Sequence, residues 1–149
     1  MPDHVAALPL LGIDLIPVVS PLHPLARLIR PVTFGDLAEH TQLFLTDPTA
    51  PDGPSYGIIG TRAWGFAELG QRLDFLLAGL GWCRMPDYLV SPHLADVRLV
   101  PLAIDSDPAR ASGPLMIYAA CMQDRALGRA GSWLLERVSG TPLLTIDSK

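Results

Sequence analysis

Short apolar runs alternate along this chain with segments of helical periodicity, and this alternation limits the folds open to it. Residues 13–20, IDLIPVVS, are almost continuously apolar, as expected for a strand covered on both faces. Residues 42–46 and 115–121 have the same character, and shorter strands are predicted at residues 61–64 and 98–102. Strands separated by helices at this spacing predict an α/β fold with largely parallel pairing.

Helical patterns fill the intervals between these strands. Thr33 and Asp36 have the spacing of a capping box, which opens a short helix over residues 33–40. A last helix is predicted at residues 127–138, and the clearest helix ends near Gly79. That clearest helix carries leucines on one face, at Leu69, Leu73, Leu76, Leu77 and Leu80.

The remaining segments are predicted as loops and one short strand. Residues 47–56 and 105–114 are rich in proline, aspartate and glycine, which indicates exposed loops. Residues 82–90, WCRMPDYLV, form a short apolar stretch whose first part, WCRMP, is interpreted as a buried strand, and residues 91–96 are predicted as a polar turn.

Charge and composition exclude several classes of protein. The chain carries 11 basic and 15 acidic side chains, a net charge of -4, and no basic run that could neutralise a phosphate backbone, so this segment is not expected to bind nucleic acid itself. Its N-terminus is apolar but contains Asp3 and Asp14 and is broken by prolines, so neither a signal peptide nor a membrane span is predicted. We expect a cytoplasmic protein.

The sequence offers little for catalysis or metal binding. Cys83 and Cys121 have no CxxC spacing and are predicted to be free thiols. No serine has a GxSxG context, no P-loop is present, and no pair of carboxylates stands out as a general acid and base. A binding protein without a metal or cofactor is therefore predicted, and a small enzyme is the less favoured interpretation. The histidines show no metal-binding spacing, and His23 is interpreted as a structural turn residue; they are His4, His23, His40 and His93.

Ligands of open α/β sheets bind beyond the carboxyl ends of the strands, where helix N-termini present backbone N–H groups. By this rule Leu45, Thr46 and Asp47 are candidates, together with the residues that lead into the leucine-rich helix. The Thr46 hydroxyl can bind a carboxylate, and the helix N-terminus near Ala67 favours an anion, which Glu68 would repel. Ordinary turn and capping chemistry is the alternative interpretation.

Three further residues complete the candidate site. Trp64 is the best candidate for stacking on a planar ligand. Met85 and Pro86 are interpreted either as an apolar pocket wall or as part of a buried strand, and both roles are compatible. The candidate effector-binding residues are thus Leu45, Thr46, Asp47, Trp64, Ala67, Glu68, Met85 and Pro86.

Three stretches resemble, in this order, the effector-binding region of LysR-type transcriptional regulators. They are VVSPLHPLAR at residues 18–27, LLAGLGWCRMPDYLV at residues 76–90 and HLADVRLVPL at residues 93–102. Each is weak by itself, but the ordered set with compatible spacings is specific, and the resemblance covers roughly residues 8–140. One departure is Val97, where the family usually has glycine, so this turn is either of another type or strained.

The resemblance implies a periplasmic-binding-protein-like (type 2) sensory domain of two α/β lobes with a small molecule between them. Residues 25–112 would form a complete second lobe. Residues 1–24, with a crossover strand, and residues 113–149, with the return strand and C-terminal helix, would form part of the first lobe. The family's DNA-binding helix-turn-helix would precede Met1, so the resemblance implies an N-terminally truncated member.

The function implied is sensing of a small-molecule effector, for which we expect a carboxylate, in a homodimeric transcription regulator. DNA would be bound only through the missing N-terminal domain. The alternative is a free-standing α/β ligand-binding protein, or a dominant-negative partner that forms mixed oligomers with an intact homologue. Because the first lobe would be incomplete, apolar surface and self-association are expected.

Overall fold

The computed structural model describes residues 5–47, 57–107, 112–123 and 125–140. The chain divides into two compact units, one formed by Asp14–Gly113 and the other by Met1–Ile13 with Pro114–Lys149. Most of the two predicted loops, at residues 48–56 and 108–111, lies outside the described residues. No helix of the described part is long and apolar enough to cross a membrane.

The larger unit holds a five-stranded sheet with helices on both faces, and the smaller unit holds a two-stranded ribbon with one helix. A 3₁₀ turn at Pro24–Arg27 follows the second strand. In chain order the elements are β1 (Val5–Ile13), β2 (Leu15–Val19), α1 (Phe34–Glu39), β3 (Gln42–Leu45), β4 (Ala63–Phe66), α2 (Leu69–Leu77), β5 (Trp82–Pro86), α3 (Asp87–Ala95), β6 (Val100–Pro101), β7 (Leu115–Met122) and α4 (Arg129–Ser139).

Strand pairing in the larger sheet is mixed, and the expectation of largely parallel pairing was wrong. The strand order is β4-β3-β5-β2-β6. β3 runs parallel to β4 and β5, whereas β2 runs antiparallel to β5 and β6. The continuous apolar runs indicate that helices cover both faces of these strands. Burial on both faces does not determine whether neighbouring strands run parallel or antiparallel.

The core of this unit lies on both faces of the sheet. Alternate residues of β5 point to opposite sides, so Cys83 and Met85 pack in one apolar cluster and Trp82 in the other. The first cluster includes leucines of α2, and the second includes Leu37 of α1. This two-sided burial explains why the central strands are continuously apolar rather than alternating.

Two helices confirm their predicted signals, and one was missed. The Thr33 hydroxyl accepts from the backbone N–H of Asp36, whose side chain accepts from the N–H of Thr33, so the capping box is formed. Gly79 follows α2 with a φ of 76°. The polar turn predicted at residues 91–96 was wrong, because α3 continues through this segment.

The sequence of α3 does not show a recognisable helical pattern, for two reasons. Apolar residues lie all around this helix, so no one-sided periodicity is visible, and Pro92 lies in its interior. The helix is stabilised by packing instead, since Val90 is buried in the core and Leu94 packs against it. Tertiary burial thus outweighs the local signals.

The smaller unit is an antiparallel ribbon of β1 and β7, paired from Val5 opposite Met122 to Ile13 opposite Leu115. β1 was not predicted, because Pro9 and Gly12 interrupt its pattern. Among its described residues, no side chain is fully buried, and Leu134 on α4 is exposed. Exposed apolar surface was expected here, and self-association stays a prediction.

The turn at Val97 is strained, which is one of the two alternatives that the sequence left open. Val97 has a φ of 57°, in the left-handed region that β-branched residues disfavour. Hydrogen bonds hold the turn, since the N–H groups of Arg98 and Leu99 both donate to the carbonyl of His93 at 2.8 and 3.1 Å.

Replacing Val97 by glycine is expected to raise the free energy of unfolding by about 0.5–1 kcal/mol. Relief of the left-handed conformation is worth about 1–2 kcal/mol, and the added flexibility of glycine offsets part of it. Val97 is 65% exposed, so little packing is lost. Urea unfolding measures the change. The control Ile29→Gly, at an exposed position without positive φ, should lower stability; a loss at both positions contradicts the strain.

Candidate functional site

The carboxyl ends of β3, β4 and β5 lie at one edge of the larger sheet, which we call the carboxyl edge. Leu45 and Phe66 are register partners at the last residues of β3 and β4. The N–H of Thr46 donates to the carbonyl of Phe66 at 2.8 Å, which places Thr46 beside Ala67. β5 runs parallel to β3 and ends at Pro86, so its end faces the same way.

Exposed and half-exposed carboxylates gather at this edge. The N–H of Asp87 donates to the carbonyl of Asp14 at 3.0 Å, so the chain also enters the larger unit here. Asp14, Asp47 and Glu68 are exposed, and Asp87 is partly buried. Exposed charges of this kind are screened by water and salt, so they weaken the binding of an anion without preventing it.

Thr46 is held by its own backbone neighbourhood. Its hydroxyl donates to the carbonyl of Phe66 at 3.2 Å, and the side chain is half-buried. The hydroxyl oxygen keeps its lone pairs, so it can accept from a ligand, and it can donate to a carboxylate only by leaving Phe66.

The N-terminus of α2 opens at the carboxyl edge without a side-chain cap. Glu68 occupies the N-cap position with extended backbone, and its carboxylate makes no capping hydrogen bond. The carbonyl of Glu68 accepts from the N–H of Arg72 at 3.2 Å, which begins the helical ladder. The N–H groups of the first turn therefore have no acceptor within the helix, and Ala67 beside them is exposed.

Two candidates fall outside this group because of burial. Met85 is 0% exposed and belongs to the apolar core, so its side chain has no surface to offer a ligand. Pro86 lies at the end of β5 but is buried as well. We therefore omit both residues from the site that we propose.

Trp64 lies at some distance from the other candidates. It pairs with Leu43, two residues before the end of β4, and its ring packs edge-on against Phe75 with centroids 6.2 Å apart. Phe75 is in the C-terminal half of α2, away from the uncapped end. Trp64 is 46% exposed, but the structure does not bring it together with Thr46 and Ala67.

Sequence reasoning missed a buried cation near the site. Arg72 is 8% exposed, and its Nη2 donates to the carbonyl of Arg84 at 3.2 Å. The sequence does contain a signal for the burial of Arg72. Position 72 is three residues after Leu69 and four before Leu76, on the buried face of α2. The Arg84 side chain in turn pairs with Asp107 at 2.6 Å.

The remaining titratable groups support structural roles. His23 accepts from the N–H of Leu25 through Nδ1, and burial together with nearby His40 lowers its pKa from 6.5 to about 4. It is a neutral turn residue, as predicted. Burial raises the pKa of Cys83 to about 12, so it remains a thiol. Within the described ranges, no three His, Cys, Asp or Glu side chains are grouped to hold a metal ion.

The family model of the LysR substrate binding domain matches residues 1–141. The chain belongs to this family. No curated protein sequence matches the chain. The membership agrees with the fold, since LysR substrate binding domains have the type 2 architecture of periplasmic binding proteins, as the resemblance implied.

Solved structures of this family have the same fold as this LysR substrate binding domain. The effector binding domain of QuiR in complex with shikimate is 18% identical, with a TM-score of 0.66 over 93% of this chain and 66% of that one. The regulatory domain of MetR from N. meningitidis is 17% identical, with a TM-score of 0.64 over 91% and 64%. CrgA from Neisseria meningitidis is 22% identical, with a TM-score of 0.60 over 93% and 70%.

The lengths of these domains differ from that of the chain. The chain spans about two thirds of QuiR and MetR, at 66% and 64% of their solved domains. At sequence identities this low, the structural similarity establishes a common fold and nothing more. The ligand of a relative is therefore stated of that relative only.

Proposed function

We propose that this chain is the effector-sensing domain of a LysR-type transcriptional regulator and that it binds a small molecule at the carboxyl edge. The observation that carries this proposal is the juxtaposition of Thr46 and Ala67 beside the uncapped N-terminus of α2. Backbone N–H groups, a hydroxyl and exposed small residues at the ends of parallel strands suit a polar metabolite. Binding without turnover is the activity that we propose.

The regulatory output belongs to the rest of such a regulator. A net charge of -4 without a basic run supports binding of DNA through another segment rather than through this one. We propose that the larger unit, which contains residues 25–112, is the second lobe, that the smaller unit belongs to the first, and that the regulator is a homodimer in the cytoplasm. An effector shifts such a regulator only by its difference in affinity between two conformations.

A carboxylate is the effector class that we propose. The unpaired N–H groups of the first turn of α2 and the helix dipole favour an anion at this position. Glu68 opposes it, but this side chain is exposed and makes no capping hydrogen bond, so it is free to turn toward solvent. Shikimate, the ligand of QuiR, is itself a hydroxylated carboxylic acid.

A thermal-shift screen tests the site. We expect members of a panel of small carboxylic acids, shikimate among them, to raise the melting temperature of the chain by about 5–10 °C when present at about a hundred times Kd. Ala67→Trp should abolish the shift, because Ala67 is exposed at the carboxyl edge and a large ring there covers the site.

Ala95→Trp is the matched control, since Ala95 is also exposed but lies at the far end of α3. It should leave the shifts unchanged. The proposal is wrong if no acid, matched amide or amine in the panel stabilises the chain, or if the two tryptophan variants behave alike.

A further inference from the structure

The side chain of Arg72 is buried without a full set of hydrogen-bond partners. Only 8% of this residue is exposed, Nη2 donates to the carbonyl of Arg84, and the buried Nε has no partner among the described residues. A buried donor left unpaired is unfavourable, and a buried guanidinium more so, because its charge is removed from water. A buried charge of this kind marks a candidate ligand-binding position.

No salt bridge to Arg72 is formed among the described residues. The ion pairs there join Arg30 to Asp36 and Arg84 to Asp107, and neither includes Arg72. Cys83 is close to Arg72, but burial raises the pKa of this thiol to about 12, so it carries no negative charge near neutral pH. The positive charge of Arg72 is therefore uncompensated within the described structure.

Arg72 lies in the N-terminal half of α2, about one helical turn from its uncapped end. Arg72 is the fourth residue of this helix, and helical side chains tilt toward the N-terminus, which here opens at the carboxyl edge. Its hydrogen-bond acceptor, the carbonyl of Arg84, lies two residues before the end of β5. The charge thus lies between α2 and the middle of β5, below the carboxyl edge.

We propose that Arg72 selects an anionic effector by supplying the buried positive charge beneath the carboxyl edge. The anionic group would lie over the first turn of α2 and accept from its N–H groups, while the buried charge of Arg72 attracts it through the interior. This inference rests on the proposed function and adds to it the residue that determines ligand charge.

The exposed carboxylates at the same edge do not cancel this effect. Asp47 and Glu68 are exposed to solvent, where their fields are screened, whereas Arg72 acts through the interior with its lower effective dielectric constant. A buried charge of one sign therefore outweighs exposed charges of the other at short range.

Matched acids and amides test the role of Arg72. Shikimate with its amide, and benzoate with benzamide, are titrated calorimetrically into the chain at constant ionic strength. We expect each acid to bind at least about tenfold more tightly than its amide, a difference that corresponds to one charge-assisted hydrogen bond. In Arg72→Met this ratio should fall severalfold, to the smaller preference given by the first-turn N–H groups and the helix dipole, while amide binding persists, and Arg72→Lys should retain the larger preference for the acid.

Stability provides a second readout. Because Arg72→Met replaces an uncompensated buried charge with an apolar chain of similar length, its melting temperature should equal or exceed that of the wild type. Arg98→Met, at an exposed position beyond α3, is the control and should change neither the binding ratio nor the melting temperature.

The outcomes separate this inference from the proposed function. Equal binding of acids and amides, abolished by Ala67→Trp, would retain the site and overturn the role of Arg72. A lower melting temperature for Arg72→Met with an unchanged ratio would assign Arg72 to packing and overturn it too. If no acid or amide binds the wild type, the proposed function and this inference fall together.

Discussion

Truncation of Trp82 to alanine is expected to lower the free energy of unfolding by about 3–5 kcal/mol, a large part of the total stability of a domain this size. Trp82 is 0% exposed and heads the fully buried side chains of the described residues by volume. It packs with Val19, Leu25 and Leu37, and its indole N–H donates to the carbonyl of Leu37 at 3.3 Å. Truncation removes this packing and the indole hydrogen bond, while the carbonyl of Leu37 keeps the N–H of His40 as a donor.

Equilibrium urea unfolding followed by far-ultraviolet circular dichroism measures this loss without depending on tryptophan fluorescence. Trp133→Ala is the control, because Trp133 is 61% exposed on α4 and its removal should cost less than about 1 kcal/mol. If the two truncations cost the same, the second core cluster does not stabilise the larger unit as the burial of Trp82 indicates.

The elements that could be predicted from the sequence are those whose signals are local. The capping box of Thr33 and Asp36 and the leucine face of α2 each depend on residues within a few positions of one another. β2 and β3 are buried on both faces, and their sequences are accordingly continuous apolar runs. In these places local preference and tertiary structure agree.

The elements that could not be predicted depend on distant partners. β1 is a strand because β7 pairs with it along its whole length, and nothing in the proline-containing sequence of β1 shows this. The direction of β2 is likewise set by its neighbours in the sheet, since an apolar run is equally compatible with either direction. α3 forms around Pro92 because Val90 and Leu94 pack into the core.

The candidate site shows the same division. The rule that ligands bind beyond strand ends selected Leu45, Thr46, Asp47, Ala67 and Glu68, which the structure places at one edge. The burial of an individual side chain could not be predicted from the sequence. Met85 was therefore selected although it is buried, and Arg72 was not selected although it lies beneath the same edge. Trp64 was selected for its chemistry, but Phe75 holds it elsewhere.

Replacing Arg84 by methionine is expected to lower the free energy of unfolding by about 2–3 kcal/mol. Its Nη2 lies 2.6 Å from Oδ1 of Asp107, and the two side chains are 21% and 3% exposed. Removing one partner of a buried ion pair costs about 3–5 kcal/mol, and the partial exposure of Arg84 reduces this figure. The bond from Arg72 is kept, because its acceptor is the backbone carbonyl of Arg84.

The ion pair of Arg30 and Asp36 offers a control of the same chemistry at the surface. Its oxygen and nitrogen are 2.7 Å apart, but the two side chains are 53% and 22% exposed, so Arg30→Met should cost much less stability than Arg84→Met. Urea unfolding at two salt concentrations compares the variants. Added salt should weaken the contribution of the surface pair more than that of the buried one, because water and ions screen only charges that they reach. Equal costs for the two substitutions, with equal salt dependence, would mean that the burial of Asp107 does not strengthen its interaction with Arg84.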